Sequence, residues 1–371
     1  MMTRRDVLGR LALGLGVLAC RDATARVADA IAAGAADGGV AVEKIVERAA
    51  GRAAYAAIET SAKTGFSRAR FFSASGAPVA SVPLDFRAHG MAAHGHRLVV
   101  LPRRPGNRLA VVDRRTLAIL HVKTAPPDRH FYGHGAFTVD GAHLLVTEND
   151  LDTLRGGVGV YDTSGSMRRV GQIELPGSGP HEIVRDPERD LFHVAIGGLE
   201  THPAYGRTPL NPSAFRSQVV SLRFDRGAVE PLGFWAGTEG VSLRHLAVGA
   251  GGRLYIGGHL VDAERGTPDA VLWAHGAEGA VRLDAGRVLG GYVSSLATHG
   301  EETIATSKEA GVALRLRADR TVETSSLLGA SGVALGPALT AVSGFEMLVV
   351  NGVRIAVSPL HEFDNHGLAT R

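Results

Sequence analysis

The chain has 371 residues, of which 45% are hydrophobic, 21% charged and 5% aromatic, enough to bury the core of one large domain or two ordinary ones. Lys and Arg number 40 against 37 Asp and Glu without a run of like charge, so the composition disfavours nucleic-acid binding. The single cysteine, Cys20, excludes a disulfide framework and any cysteine-based zinc or iron–sulfur site. A bound metal would have to use carboxylates and the 16 histidines.

The N-terminus has the pattern of an export signal. Arg4 and Arg5 precede a short apolar stretch over 11–19, which is typical of twin-arginine export and too short to span a bilayer. Residues 1–25 are therefore predicted to be a signal peptide of a periplasmic protein. Two cleavage readings stay open: a lipobox that would lipidate Cys20 and provide the only membrane contact, or an ordinary cleavage site at 23–25. Residues 26–65 are Ala-rich and predict a helical or linker segment.

From residue 66 onward the sequence consists of short apolar runs separated by Gly, Asp, Asn and Pro, a pattern typical of strands. Similar turn-and-strand motifs recur at spacings of 45, 47, 64, 50 and 37 residues, which is the length of a propeller blade. The motifs are centred on His89, His134, His181, His245, Ser295 and Gly332. We predict an all-β, seven-bladed β-propeller over 66–371, with six blades as the alternative. The longest spacing contains an insertion, 201–214, predicted to be a long loop on one face.

Several motifs carry a resemblance to a known family. They are RRPG at 103–106, HFYGHG at 130–135, TEND at 147–150, GPHE at 179–182, ETHP at 200–203 and SLRHLA at 242–247. The chain resembles bacterial domain-of-unknown-function family 1513 over about 66–366. The resemblance implies a periplasmic propeller, usually encoded beside imelysin-type and di-haem-peroxidase-like proteins, and hence envelope iron-uptake or redox proteins as partners. The sequence departs from the family pattern at Ile196, at His259, where Gln is usual, and at 307–309.

The histidine motifs have two interpretations. If each precedes or opens the inner strand of its blade, His89, His134, His181 and His245 converge around the propeller axis and can bind iron, copper or zinc, with Glu182 as ligand or orienting carboxylate. Alternatively, each histidine only forms hydrogen bonds within its own blade. No C-x-x-C-H motif is present, so a covalent haem is excluded.

Other polar residues are weaker candidates for ligand contacts. Arg244 is expected to contact an anion, and Glu148 to support the metal ligands. On the inserted loop His202, Arg207 and Asn211 are placed where ligands are often bound, although they could equally order the loop itself.

Three functions follow from these patterns. The leading one is a periplasmic propeller that binds a metal, or a metal-bearing partner, in a histidine-lined channel and supports iron acquisition or redox handling. The second is a non-catalytic scaffold that docks another envelope protein through the loop 201–214. The third is a hydrolase or lactonase-like enzyme that uses a metal-activated water.

Overall fold

The computed structural model describes residues 51, 53–189, 191–225, 228–319, 321–357 and 361–370. These residues form seven antiparallel sheets of four strands each, which confirms the prediction of a seven-bladed propeller. The predicted signal peptide, Cys20 and most of the predicted helical segment lie outside the described residues. Among the described residues, no helix has the length and apolar character needed to cross a membrane.

The four strands of each blade lie side by side from the channel outward. Blade 1 consists of β28 (His361–Ala369), β1 (Tyr55–Ser61), β2 (Ser67–Phe72) and β3 (Pro78–Pro83). Blade 2 consists of β4 (Ala88–His94), β5 (Arg97–Pro102), β6 (Arg108–Asp113) and β7 (Ile119–Thr124). Blade 3 consists of β8 (Arg129–Phe137), β9 (His143–Asp150), β10 (Gly156–Asp162) and β11 (Arg168–Glu174). Blade 4 consists of β12 (Pro180–Asp186), β13 (Leu191–Ile196), β14 (Gln218–Asp225) and β15 (Ala228–Ala236).

The remaining three blades follow the same order. Blade 5 consists of β16 (Val241–Val248), β17 (Leu254–Leu260), β18 (Leu272–Gly276) and β19 (Gly279–Arg282). Blade 6 consists of β20 (Ser295–His299), β21 (Glu302–Ser307), β22 (Val312–Leu316) and β23 (Val322–Ser326). Blade 7 consists of β24 (Val333–Gly336), β25 (Leu339–Gly344), β26 (Met347–Val350) and β27 (Val353–Ala356). Short 3₁₀ turns are formed by Pro203–Tyr205, Ala250–Gly252 and Asp284–Leu289.

The core lies between adjacent blades. The second strand of a blade is covered on both faces, so β5 is almost entirely apolar and buried. The outermost strand β7 has solvent on one side and is mostly exposed. The hydrophobic contacts follow this pattern, since blades 1 and 2 share a cluster that includes Phe71, Leu98 and Val112.

The two ends of the described chain meet in blade 1. There β28 pairs antiparallel with β1, and Phe363 packs against Tyr55 and Phe72. The prediction that the propeller begins at residue 66 is wrong, because the strand Tyr55–Ser61 already belongs to it. The Ala- and aromatic-containing run at 53–58 is buried in the interblade core and pairs with two strands, which local composition could not indicate.

Replacing Phe363 by Ala tests the closure. Phe363 is 5% exposed, so Phe363→Ala removes a buried ring from the packing between the first and last described strands and should lower the free energy of unfolding by about 3–5 kcal/mol. The matched control is Phe66→Ala, which truncates a ring that is 54% exposed and should change stability by less than about 0.5 kcal/mol. Urea unfolding followed by circular dichroism measures both, and equal effects of the two substitutions would contradict the packing described.

Candidate metal centre in the central channel

Five imidazoles meet at the centre of the propeller, one from the inner strand of each of five consecutive blades. They belong to His366, His89, His134, His181 and His245, on β28, β4, β8, β12 and β16. The ring centroid of His366 lies 4.8 Å from that of His89, 4.5 Å from that of His134 and 5.1 Å from that of His245. The rings of His181 and His134 are 5.1 Å apart. The structure thus brings together the four predicted histidines and adds His366.

A β-bulge occurs in each of these five inner strands beside its histidine. In blade 2, β4 has two residues, His89 and Gly90, where its partner β5 has one. Corresponding register shifts occur in the inner pairs of blades 1, 3, 4 and 5. The inner pairs of blades 6 and 7, whose motifs have serine instead of histidine, run without a shift. Since a bulge re-aims side chains, these distortions are what turn the histidines into the channel.

The bulge in blade 4 shows how two neighbouring residues reach the same site. Successive residues of a regular strand point to opposite faces. The register shift between Pro180 and Glu182 removes this alternation, so His181 and Glu182 both enter the cluster.

Two glycines allow the inner strands of blades 2 and 3 to approach closely. A Cβ atom on Gly90 would collide with the carbonyl oxygen of Gly133. A Cβ atom on Gly133 would lie 2.8 Å from Cδ2 of His89, and Gly133 also has a φ of 114°, a conformation that favours glycine. The contact between His89 and His134 therefore requires glycine at both positions.

Two carboxylates fix the orientation of three imidazoles. Nδ1 of His89 lies 2.5 Å from Oδ1 of Asp364, while Nδ1 of His245 and Nδ1 of His134 lie 3.2 Å and 3.5 Å from the two oxygens of Glu182. Glu182 also accepts the backbone N–H of Leu246 at 2.9 Å. An ionised carboxylate only accepts hydrogen bonds, so Nδ1 of each ring carries the proton and, in the neutral imidazole, Nε2 keeps its lone pair.

Four of the remaining ring nitrogens have no hydrogen-bond partner. Nε2 of His134, His245 and His366 and Nδ1 of His181 are buried and unpaired within the described residues. One donor atom from each of His89, His134 and His366 lies within 4.8 Å of the other two, and the same is true of Glu182, His245 and His366. Buried polar atoms are normally paired, and so many unpaired nitrogens facing one another fit the donor set of a metal ion.

Burial keeps the imidazoles in the form that binds metals. It lowers the pKa of His89 to about 4 in spite of the adjacent Asp364, and holds the pKa values of His181 and His366 well below 6.5. Burial alone would raise the pKa of Glu182, but His134 and the hydrogen bonds from His134 and His245 outweigh it and hold this pKa well below its usual value. At neutral pH the ionised carboxylate of Glu182 therefore faces a cluster in which burial keeps His89, His181, His245 and His366 neutral.

The remaining predicted site residues either lie outside the histidine cluster or form hydrogen bonds with other residues. Both oxygens of Glu148 are used inside blade 3, by the hydroxyl of Tyr161 at 2.8 Å and by Arg169 at 2.7 Å, so the structure does not bring Glu148 to the cluster. Arg244 is buried directly beside His245. Arg207 is exposed on the loop between β13 and β14.

His202 and Asn211 order the inserted loop. Nδ1 of His202 accepts the backbone N–H of Ala204 at 3.1 Å, which caps the turn Pro203–Tyr205. The side chain of Asn211 bridges the backbone of Gly198 and Glu200. Neither side chain joins the histidine cluster.

Sequence reasoning did not select Asp364 and His366 for the site. The two residues are separated by one position, a spacing typical of side chains on the same face of a strand. This spacing, close to the end of the predicted propeller, is the signal that could have found them.

The fold and the residues of the inner strands define this protein as a seven-bladed propeller with a cluster of histidines and carboxylates at its centre. The chain belongs to the family described as "Protein of unknown function (DUF1513)", whose model matches residues 82–369. No curated protein matches the sequence.

Solved propellers share the fold at low identity. A structure described as streptogramin B lyase has 12% identity and a TM-score of 0.53, covering 79% of this chain and 91% of that one. A catalytically inactive histidine-to-alanine variant of virginiamycin B lyase from Staphylococcus aureus, with quinupristin, has 12% identity and a TM-score of 0.52, covering 84% and 95%. These similarities concern the fold alone.

His259, which pairs with Ser242 in blade 5, gives a prediction about acid stability. Burial, followed by the charges of Arg244, Arg104 and Arg207, lowers the pKa of His259 to about 3. Between about pH 6.5 and pH 3 the unfolded chain binds a proton that folded His259 does not, so the free energy of unfolding decreases as the pH falls. His259→Gln removes this contribution, and its loss of stability between pH 7 and pH 5 should be smaller by up to about 2 kcal/mol. Urea titrations at both pH values measure this, and identical pH dependence in variant and wild type would contradict the assignment.

Proposed function

We propose that the protein binds one divalent first-row transition metal at the histidine cluster of its central channel, in support of iron acquisition or redox handling in the periplasm. The observation that carries the proposal is that His134 and His245 each direct one ring nitrogen at Glu182 and leave the other buried and unpaired, next to further unpaired nitrogens of His181 and His366. Carboxylate–histidine–metal arrangements of this kind fix the ring and increase the basicity of the ligand nitrogen.

The donor set supports this class of metal. Imidazole nitrogens suit zinc, copper, iron and nickel, whereas calcium and magnesium prefer oxygen ligands. His89, His134 and His366 would hold the ion, and His245, whose donor atom is grouped in the same way with Glu182 and His366, is close enough to complete the set. The ring of His181 lies next to that of His245, at 4.9 Å between centroids. When bound, the metal would supply Lewis acidity or, in the case of iron or copper, redox chemistry.

Glu182 is proposed to act chiefly by positioning ligands. Its two carboxylate oxygens already contact Nδ1 of His134 and Nδ1 of His245, and one of them accepts a hydrogen bond from the backbone N–H of Leu246. Its negative charge also compensates the charge of a dication in a site from which water is largely excluded.

The iron-related role rests on the family resemblance, and the partners implied by it remain predictions. The metal proposal can be tested without them. It requires only that one ion binds where the imidazoles meet.

The direct test removes one ligand at a time. Metal-free protein is titrated calorimetrically with Zn²⁺ and, anaerobically, with Fe²⁺. Wild type should bind one equivalent, and His134→Ala and His366→Ala should each weaken binding by at least about 100-fold, because each substitution removes a donor nitrogen. Bound metal should also raise the thermal midpoint, since an ion that binds only the folded state stabilises it.

The matched control is His299→Ala, which removes an exposed imidazole at the end of an inner strand of a blade without a bulge. This variant should bind metal like wild type, and circular dichroism verifies that all variants are folded. Wild type that binds neither metal, or folded His134 and His366 variants that bind as tightly as the control, would overturn the proposal.

A further inference from the structure

Three guanidinium groups lie at the end of the channel where the inner strands begin. Arg244 is on β16 beside His245, Arg104 follows the end of β5, and Arg207 is on the loop between β13 and β14. Because β5 and β13 pair antiparallel with the inner strands β4 and β12, the segments that follow them lie at the same end of the propeller as His89 and His181.

None of these three arginines has a carboxylate partner within 4.0 Å in the described parts of the chain. Arg244 is 8% exposed, and its Nε atom is buried without a hydrogen-bond partner. Desolvation, and then the charges of Arg103, Arg104 and Arg244, lower the pKa of Arg207 to about 10, although its side chain is exposed to solvent. Arg244 is a buried charge without a counter-charge, which is costly, so with two further guanidinium groups near it this end of the channel calls for an anion.

The guanidinium of Arg104 is held in place. It donates hydrogen bonds to the hydroxyl oxygens of Tyr132 at 2.9 Å and Thr201 at 3.3 Å, and it lies over the Tyr132 ring at 4.9 Å from the ring centroid. The ring of Tyr132 is in turn 6.4 Å from that of His181. The arginine group therefore borders the histidine cluster directly.

A cavity of about 350 Å³ lies next to Tyr292 and Glu309, whose charges act on Arg244, but the three arginines do not themselves line it. Its lining includes Tyr292, Arg87 and Arg103. It also contains carboxylates, from Glu309, Glu362 and Asp364, and Arg103 lies 3.7 Å from Asp364. The cavity's own cations, Arg87, Arg103 and Lys308, are matched in number by these three carboxylates, so the unmatched positive charge lies outside it, at Arg104, Arg207 and Arg244.

We propose that this mouth of the channel binds a small-molecule oxyanion with two or more negative charges, of the carboxylate or phosphate class, through Arg244, Arg104 and Arg207. Guanidinium groups match such anions with two parallel hydrogen bonds, and a concave, partly dehydrated site concentrates their positive potential. In placing the anion against a metal, the inference rests on the proposed function. The binding of the anion itself does not.

The test uses protein from which metal has been removed with a chelating resin, since soluble chelators are themselves polyanions. Inorganic phosphate and citrate are titrated calorimetrically at low and at moderate salt. We expect saturable binding of at least one of the two, weakened by salt, and at least tenfold weaker in Arg244→Gln and Arg104→Gln. Arg168→Gln removes an exposed guanidinium from an outer strand and should bind like wild type.

Arg244→Lys distinguishes a fork-shaped contact from a general positive potential. It keeps the charge but loses the paired donors, so it should lose as much affinity as Arg244→Gln. Wild type without saturable binding of either anion, or Arg244 and Arg104 variants that bind like the Arg168 control, would overturn the inference. Zn²⁺ binding is measured separately without either anion, so a failure of the metal site and a failure of the anion site are distinguishable.

Discussion

The pairing of β28 with β1 is the constraint on which the rest of the structure depends. It forms blade 1 from the two ends of the described chain and so closes the ring of seven sheets without a covalent link. The same strand carries Asp364 and His366, which orient His89 and contact three of the four other imidazoles. The site can therefore be completed only when the propeller closes through this strand.

The histidine cluster depends on two opposing effects: burial, which disfavours charged groups, and the carboxylates that form hydrogen bonds with the imidazoles. Burial disfavours the protonated imidazoles, while Glu182 and Asp364 accept hydrogen bonds from Nδ1 atoms and the imidazole contacts hold the pKa of Glu182 well below its usual value. Five blades have a bulge in the inner strand to make this arrangement, whereas the two serine-containing blades have regular inner pairs. A bulge sacrifices regular ladder pairing, and its occurrence beside every channel histidine agrees with the proposed binding site.

The sequence pattern predicted the blades and four of the five imidazoles for one reason. Each of His89, His134, His181 and His245 lies at the same place in a repeating unit, so the period alone aligns them. The fifth, His366, lies in a blade whose strands are separated by nearly the whole chain, and a period cannot find a unit that is split in this way. The start of the propeller was misplaced for the same reason, because β1 belongs to that split blade.

The other differences between the predicted and the observed site residues arose from contacts that depend on strand register or on a local turn. Glu148 is placed by pairing across β9 and β10, where Tyr161 and Arg169 reach its oxygens. Likewise His202 and Asn211 form hydrogen bonds with the backbone of their own loop.

The most direct measurement of the central claim is anomalous diffraction at the zinc edge from crystals grown with Zn²⁺. The account predicts one strong peak among the ring nitrogens of His134, His366 and a neighbouring channel histidine. A channel without a peak at saturating Zn²⁺, or peaks only on the outer surface, would contradict it.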